Sequence, residues 1–236
     1  IPDGVLVVGA GGLGSTALLA LAAGGVPRLG IVDGDRVESS NLHRQILHLP
    51  GDVGRNKAEV AARRMRDLVS DVHVVPERIG RGNVKEIVSG YRFVIDATDD
   101  AATKFLLNDA AVACGTALSH AGVVGLAGQM LTILPGASAC LRCLFPEPPA
   151  PGEIASCQQA GILGPLAGMI GAIQASEALR VIHGEPPALA DRLLTIDARS
   201  MRIREVPLRR SPDCPVCGAF PTIRHFTPES HTEEIQ

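Results

Sequence analysis

Between Val5 and Asp35 the chain reads V-L-V-V-G-A-G-G-L-G-S-T-A, then an apolar run, then L-G-I-V-D-G-D. Few folds accommodate such a stretch. Val5 to Val8 is a β-branched apolar run of the kind buried on both faces of a parallel sheet. Gly9, Gly11 and Gly14 follow in G-x-G-x-x-G spacing, with Gly12 among them. Ser15 to Ala23 predicts a helix, and Leu29 to Val32 a second strand ending at Asp33. The unit is βαβ. Its first turn lets backbone approach a ligand, and the helix N-terminus offers free N–H groups and a partial positive charge. Asp33 stands where a ribose-binding acid is expected. Residues 4 to 27 carry no charge and are long enough to span a bilayer. The glycines clustered between two strand patterns argue against a membrane helix. The signal specifies a nucleotide and leaves NAD, FAD, S-adenosylmethionine and ATP open.

Downstream, a polar arm runs from Gly34 to Pro50. Gly54 to Val69 has helical spacing, with Val60, Arg64 and Leu68 at four-residue intervals. Val72 to Val75 predicts a strand, Val84 to Ser89 a short helix, Phe93 to Asp96 a strand and Ala101 to Ala113 a helix. Ala117 onward and Gln129 to Leu134 predict further strands. This alternation predicts an α/β fold with a doubly wound, mostly parallel Rossmann-like sheet, extended by later antiparallel strands. Cys140 to Ser156 is proline-rich and reads as an extended loop, and Gly161 to His183 as a long buried helix. Leu193 to Asp197 and Met201 to Val206 read as a hairpin. The polar end from Arg224 predicts a disordered tail. One domain is expected over residues 1–223, with a nucleotide-binding half to about 135 and a second half over 136–223. Net charge is −3, Trp is absent, there is one Tyr and no basic stripe, so nucleic acid is not expected as a partner.

Ligands of open α/β sheets sit at the carboxyl ends of the strands. Asp33 and Asp35 end the second strand there, and Asp96, Asp99 and Asp100 follow the fourth. A dinucleotide needs only one acid, whereas several suit Mg²⁺, a hard cation held by carboxylates and substrate phosphates. The plainer reading is that Asp99 caps the helix from Ala101. Arg44 in the arm and Lys57 near the next helix start are either surface charges or phosphate ligands. His43, His48 and His120 lack ligand-like spacing and read as structural or exposed.

Six cysteines in a chain this long do not suggest a disulfide scaffold. Cys140-x-x-Cys143 and Cys214-x-x-Cys217 are two C-x₂-C pairs that together can close a tetrahedral zinc site. Pro212, Pro215 and Gly218 give the second pair a knuckle-like turn. Disulfides or a redox pair are the competing reading. Cys114, in an apolar setting, reads as core packing. Cys157 precedes the long helix, where either a nucleophile or inert packing is possible.

The set G-A-G-G-L-G (9–14), D-G-D-R-V (33–37), S-N-L-H-R-Q (40–45), Lys57 and A-T-D-D (97–100) resembles the ubiquitin-activating-like adenylyltransferases. C-L-R-C-L-F-P-E-P-P (140–149) and C-Q-Q-A-G-I-L-G-P (157–165) narrow the resemblance to the MoeB/ThiF group, over nearly the whole chain to about Gly218. The resemblance implies adenylation, with ATP and Mg²⁺, of the C-terminal glycine of a small β-grasp sulfur-carrier protein ending in Gly-Gly. With the Zn²⁺ expected from the cysteine spacing, it leads to an expected homodimer, a cytoplasmic location and a separate sulfur donor of cysteine desulfurase or rhodanese type. The nucleotide set carried over is Gly9, Gly11, Gly12, Gly14, Asp33, Asp35, Ser40, Asn41, Arg44, Lys57, Asp99 and Asp100. Within it Asp33 holds the ribose, Asn41 and Arg44 contact phosphates, Lys57 steadies the triphosphate and Asp99 binds Mg²⁺. Cys157 matches a cysteine that carries an acyl or sulfur intermediate in some members and is dispensable in others.

Three departures stand out. Position 100 is Asp where Asn is usual, which adds negative charge near the adenylate. Position 104 is Lys where Arg is common, a change expected to be tolerated. The family's arginine-bearing N-terminal helix is not expected within these residues, nor is a rhodanese-like domain after Cys217. Two other functions compete: an NAD-dependent oxidoreductase on the same βαβ unit, and a non-catalytic zinc-stabilised scaffold that binds a ubiquitin-like protein.

Overall fold

A computed structural model describes residues 3–150 and 161–223. Five parallel strands, β1 (Val5–Val8), β2 (Arg28–Val32), β3 (Asp71–Val75), β4 (Phe93–Asp96) and β5 (Ala117–Val124), form its centre. Three antiparallel strands continue the sheet: β6 (Ala127–Ile133), β7 (Arg192–Asp197) and β8 (Arg202–Pro207). The strand order is β3-β2-β1-β4-β5-β6-β7-β8, so the winding reverses between β1 and β4. A crevice opens at that switch point in sheets of this kind.

Six α-helices and 3₁₀ turns at Ser39–Asn41 and Pro50–Asp52 complete the described elements, the helices being α1 (Gly12–Ala23), α2 (Lys57–Met65), α3 (Val84–Ser89), α4 (Ala101–Cys114), α5 (Leu141–Leu144) and α6 (Gly164–Ile182). Side chains alternate across a strand, and β1 shows the consequence. Val5 and Val7 enter one apolar cluster with Leu18 and Leu21 of α1 and Ile170 of α6. Leu6 and Val8 enter the other, with Phe105 and Leu107 of α4 and Cys140 and Cys214. Both faces are covered, which is why β1 reads as an unbroken apolar run.

The first turn explains its glycines. Gly9 has φ +97°, and a Cβ on Gly14 would lie 1.9 Å from the Gly9 carbonyl oxygen. That contact lets α1 begin at Gly12, three residues before the expected start at Ser15. α1 crosses α6 just as closely: a Cβ on Gly171 would lie 2.2 Å from the Leu13 carbonyl oxygen.

Several expectations are corrected. The helix expected over 54–69 is only Lys57–Met65, preceded by a 3₁₀ turn at Pro50–Asp52, and Leu68 lies outside it, 61% exposed. Asn56 sets the start, its side chain accepting from Glu59 N at 3.1 Å. The proline-rich stretch is not wholly extended, because Leu141–Leu144 is a short helix that starts after Cys140 and carries Cys143. Cys114 is only partly buried, at the edge of the α4 cluster. The expected tail from Arg224 and the loop carrying Cys157 lie outside the described residues. Among the described residues no helix is long and apolar enough to cross a membrane.

Candidate functional site

A cavity of about 1290 Å³ opens at the carboxyl ends of β1, β2, β4 and β5 and runs on to β7 and β8. Gly9, Gly11, Gly12, Asp33, Asp35, Arg44, Lys57, Asp99 and Asp100 all line it. Gly14, Ser40 and Asn41 do not. Gly14 serves by its close packing instead.

Asp33 ends β2 and organises the glycine turn. Its Oδ2 accepts from Ala10 N at 2.7 Å and its Oδ1 from Asp35 N at 2.8 Å. Burial raises its carboxyl above the ordinary range, against the pull of Lys57. A carboxylate has about four lone-pair sites, so Asp33 can still accept from hydroxyls in the cavity. Lys57 is not a surface charge. It is 6% exposed, and its Nζ donates to Asp35 Oδ2 at 3.2 Å. Arg78, just beyond β3, donates to Asp35 Oδ1 at 2.8 Å. Burial pushes the Asp35 carboxyl up, but Lys57 and Arg78 outweigh it and bring the group below its usual value.

Arg44 comes from the polar arm, and its neighbours explain how it is aimed. Its Nη2 donates to Asn41 Oδ1 at 2.6 Å. Asn41 Nδ2 and Ser40 Oγ in turn donate to Glu38 Oε2 at 3.2 and 3.3 Å. Ser40 and Asn41 therefore sit behind Arg44 and orient it toward the cavity. His43 is exposed, with Nδ1 2.9 Å from Ser40 O.

At the end of β4 the acids divide their roles. Asp96 is fully buried and accepts from Lys104 Nζ at 3.2 Å on each oxygen, from Thr98 Oγ1 at 2.7 Å and from His120 Nδ1 at 2.9 Å. Burial raises its carboxyl, yet Lys104 and His120 prevail and hold it at about 2. Lys104 Nζ also donates to Ala121 O at 2.6 Å, so it ties α4 to β5. Asp100, not Asp99, caps α4: its Oδ2 accepts from Thr103 N at 2.8 Å and Thr103 Oγ1 at 2.7 Å. The carboxylate added at position 100 is thus turned to a helix N-terminus, which favours negative charge. Asp99 is exposed into the cavity.

A second constellation lies on the α4 side of the sheet. The sulfurs of Cys140, Cys143, Cys214 and Cys217 all lie within 4.8 Å of one another. Cys140 and Cys214 are 3.5 Å apart, Cys143 and Cys217 3.3 Å, and all four are free thiols. Sulfurs about 2.3 Å from a tetrahedral zinc stand about 3.8 Å from one another, so the donor set fits that ion. Burial and crowding by the other sulfurs push the Cys140 thiol up, and Cys217 is pushed up to about 11. A dication at the centre relieves that penalty by holding the groups as thiolates. The knuckle is built as its prolines and glycine suggest. Gly218 N donates to Cys214 O at 3.0 Å, and a Cβ on Gly218 would lie 2.5 Å from that oxygen.

A ThiF family profile matches residues 3–216. The chain belongs to the ThiF family. Among curated relatives, the SAMP-activating enzyme E1 of Haloferax volcanii is 48% identical over 216 residues, covering 91% of this chain and 80% of its own. The sulfur carrier protein adenylyltransferase of Thermus thermophilus is 44% identical over 229 residues, covering 94% and 84%. Among solved structures, E. coli MccB crystallised with ATP superposes with a TM-score of 0.80 at 22% identity, over 91% of this chain and 66% of that one.

In this ThiF chain the fold therefore gathers most of the sequence-predicted residues into one cavity and sets Ser40, Asn41 and Gly14 behind its wall. Sequence reasoning passed over Gln45 and Arg78, which line the cavity, and the bonding of Asp96 to Lys104 and His120, two further lining residues. Arg78 follows a strand at its carboxyl end, a position that ought to have drawn notice. The network had no local signal, since its members lie 8 and 24 residues apart.

Proposed function

We propose that this chain adenylates the C-terminal glycine of a small ubiquitin-like sulfur-carrier protein. One observation carries the reading: a buried Lys57 and an oriented Arg44 line one cavity with the exposed Asp99, beside a glycine turn at the switch point. A dehydrogenase has no use for that set. ATP carries four negative charges, and the incoming carboxylate adds a fifth. The names of the two curated relatives support an adenylating enzyme and a protein substrate.

In this reading Gly11 and Gly12 present the N–H groups of the α1 terminus to phosphate, and Asp33 accepts from the ribose. Arg44 grips phosphate oxygens in bidentate fashion, and Lys57, held by Asp35, sits as a compact charge beside them. Asp99, with Asp100 near it, would hold Mg²⁺, which neutralises phosphate charge when bound. The carrier's terminal carboxylate oxygen attacks the α-phosphorus. A P–O bond forms, the bond to the β-phosphate bridge breaks, and pyrophosphate leaves with the electron pair. Arg44 and Lys57 stabilise the charge that develops on it. The cavity's extension past Gln129 and Thr195 gives an extended C-terminal tail a path to this point.

The cysteine cluster would bind one Zn²⁺ and clamp the knuckle to α5. Sulfur would come from a separate donor, with Cys157 a candidate carrier of the acyl or sulfur intermediate. The free thiols fit the reducing cytoplasm. The test is ATP–pyrophosphate exchange with purified full-length protein. Exchange that appears only with a Gly-Gly-ended carrier supports the reading. No exchange with any such carrier, under conditions where the carrier binds, would make the chain a scaffold.

A further inference from the structure

The glycine turn is held from a side that the nucleotide would never touch. Ala10 is fully buried, so both its peptide groups need partners inside the protein. Asp33 Oδ2 takes its N–H at 2.7 Å. His48 Nε2 lies 2.8 Å from its carbonyl oxygen, across 38 residues of sequence. His48 is 3% exposed and does not line the cavity.

The chemistry of the ring follows from that contact. A carbonyl only accepts, so Nε2 must carry a hydrogen, and in the neutral ring Nδ1 is then bare. Nδ1 is buried and has no partner among the described residues. Burial lowers the affinity of the ring for a second proton, and with the charges of Arg64 and Lys57 it outweighs the hydrogen bond to Ala10 and the charge of Asp33. The histidine is therefore a fixed neutral donor. Its backbone is fixed as well. Leu47 packs in the core, and the turn after it is held by Asp52, which accepts from Leu49 N at 2.9 Å and from Arg63 and Arg64 of α2 at 2.7 and 2.6 Å.

We propose that His48 is a positioning residue for the nucleotide loop. It locks the Ala10 peptide so that the N–H groups of Gly11 and Gly12 point into the cavity, and it makes loop order depend on docking of the arm that carries Arg44. One chain segment would then deliver the phosphate-facing arginine and the brace of the phosphate-facing loop together. The inference rests on the proposed nucleotide site for its benefit, but not for its geometry.

The test uses two isosteres in the full chain. Glutamine places an amide nitrogen where Nε2 lies, and asparagine places one where Nδ1 lies. His48→Gln should keep amide hydrogen exchange over residues 9–12 within about threefold of wild type and keep ATP affinity. His48→Asn should speed that exchange at least tenfold and weaken ATP binding by a similar factor, with the KM for carrier unchanged. Equal behaviour of the two variants in loop exchange would overturn the proposal, because a merely space-filling role does not distinguish the two nitrogens. Should His48→Asn not fold, the ¹⁵N resonances of the wild-type ring decide: Nε2 protonated and Nδ1 bare at neutral pH supports the brace, and any other state sinks it. If the loop responds as expected but wild-type protein binds no ATP, the brace stands and the adenylation reading falls.

Discussion

Adjacent acids can differ completely in duty, and Asp99 and Asp100 are such a pair. Asp100 is spent on the cap of α4, while Asp99 is left facing the cavity. Asp99→Ala should abolish pyrophosphate exchange without lowering the melting temperature. Asp100→Ala should retain exchange while losing about 1 kcal/mol of stability, read from urea unfolding. The reverse pattern would exchange their roles. His120 offers a second test. Burial depresses its affinity for protons in the folded state, and with the nearby Lys104 it outweighs the hydrogen bond and charge of Asp96, which pull the other way. The unfolded chain then binds more protons, so stability rises with pH through the window below the ordinary histidine value of 6.5. The slope from one such group reaches about 1.4 kcal/mol per pH unit. His120→Asn, which keeps a donor near Nδ1 and cannot titrate, should flatten the curve of unfolding free energy against pH below 6.5. An unchanged slope would show that His120 titrates alike in both states.

At the scale of elements, the sequence was most legible where one period or one steric rule decides. The β1 run and β4 appear where the pattern put them, because burial on both faces leaves no choice of residue, and α3 does too, with Val84 and Val88 buried one turn apart. The arm was least legible. Its 3₁₀ turns and the late start of α2 depend on Asp52 and Asn56 finding partners, and partner geometry has no periodic signature. The same holds for Lys57, whose burial comes from the way α2 docks on β2, not from its neighbours in sequence. The crossing of α1 and α6 tests packing directly. Gly171→Ala pushes a methyl group against the backbone of Leu13 and should cost about 1–3 kcal/mol. A variant as stable as wild type would show that the two helices separate easily. The cysteine cluster joins α5 to the knuckle. Elemental analysis should give one zinc per chain, and Cys214→Ser should lose it together with several kcal/mol, up to ~10. Metal-free protein with an unchanged melting temperature would refute the assignment.

At the scale of the molecule, the expected dimer needs a surface, and the long helix does not supply one. α6 is packed on α1 and the sheet, with Ile170, Ala175 and Ala178 buried. The exposed apolar side chains of the arm are better placed: Ile46, Leu49 and Val53 are 60%, 56% and 49% exposed. Light scattering at micromolar concentration should give a dimer mass, and Leu49→Asp should shift it to a monomer. A dimer that survives the change lies on another face, and a monomeric wild type removes the idea. The cysteine cluster also alters the connectivity of the chain. Cys140 and Cys214 stand 74 residues apart, so a bound zinc ion turns the stretch between them into a ring. A ring tolerates one cut. A protease that nicks any single bond between Cys143 and Cys214 would leave both pieces hanging from the same ion, in addition to the sheet and helix packing that already join them.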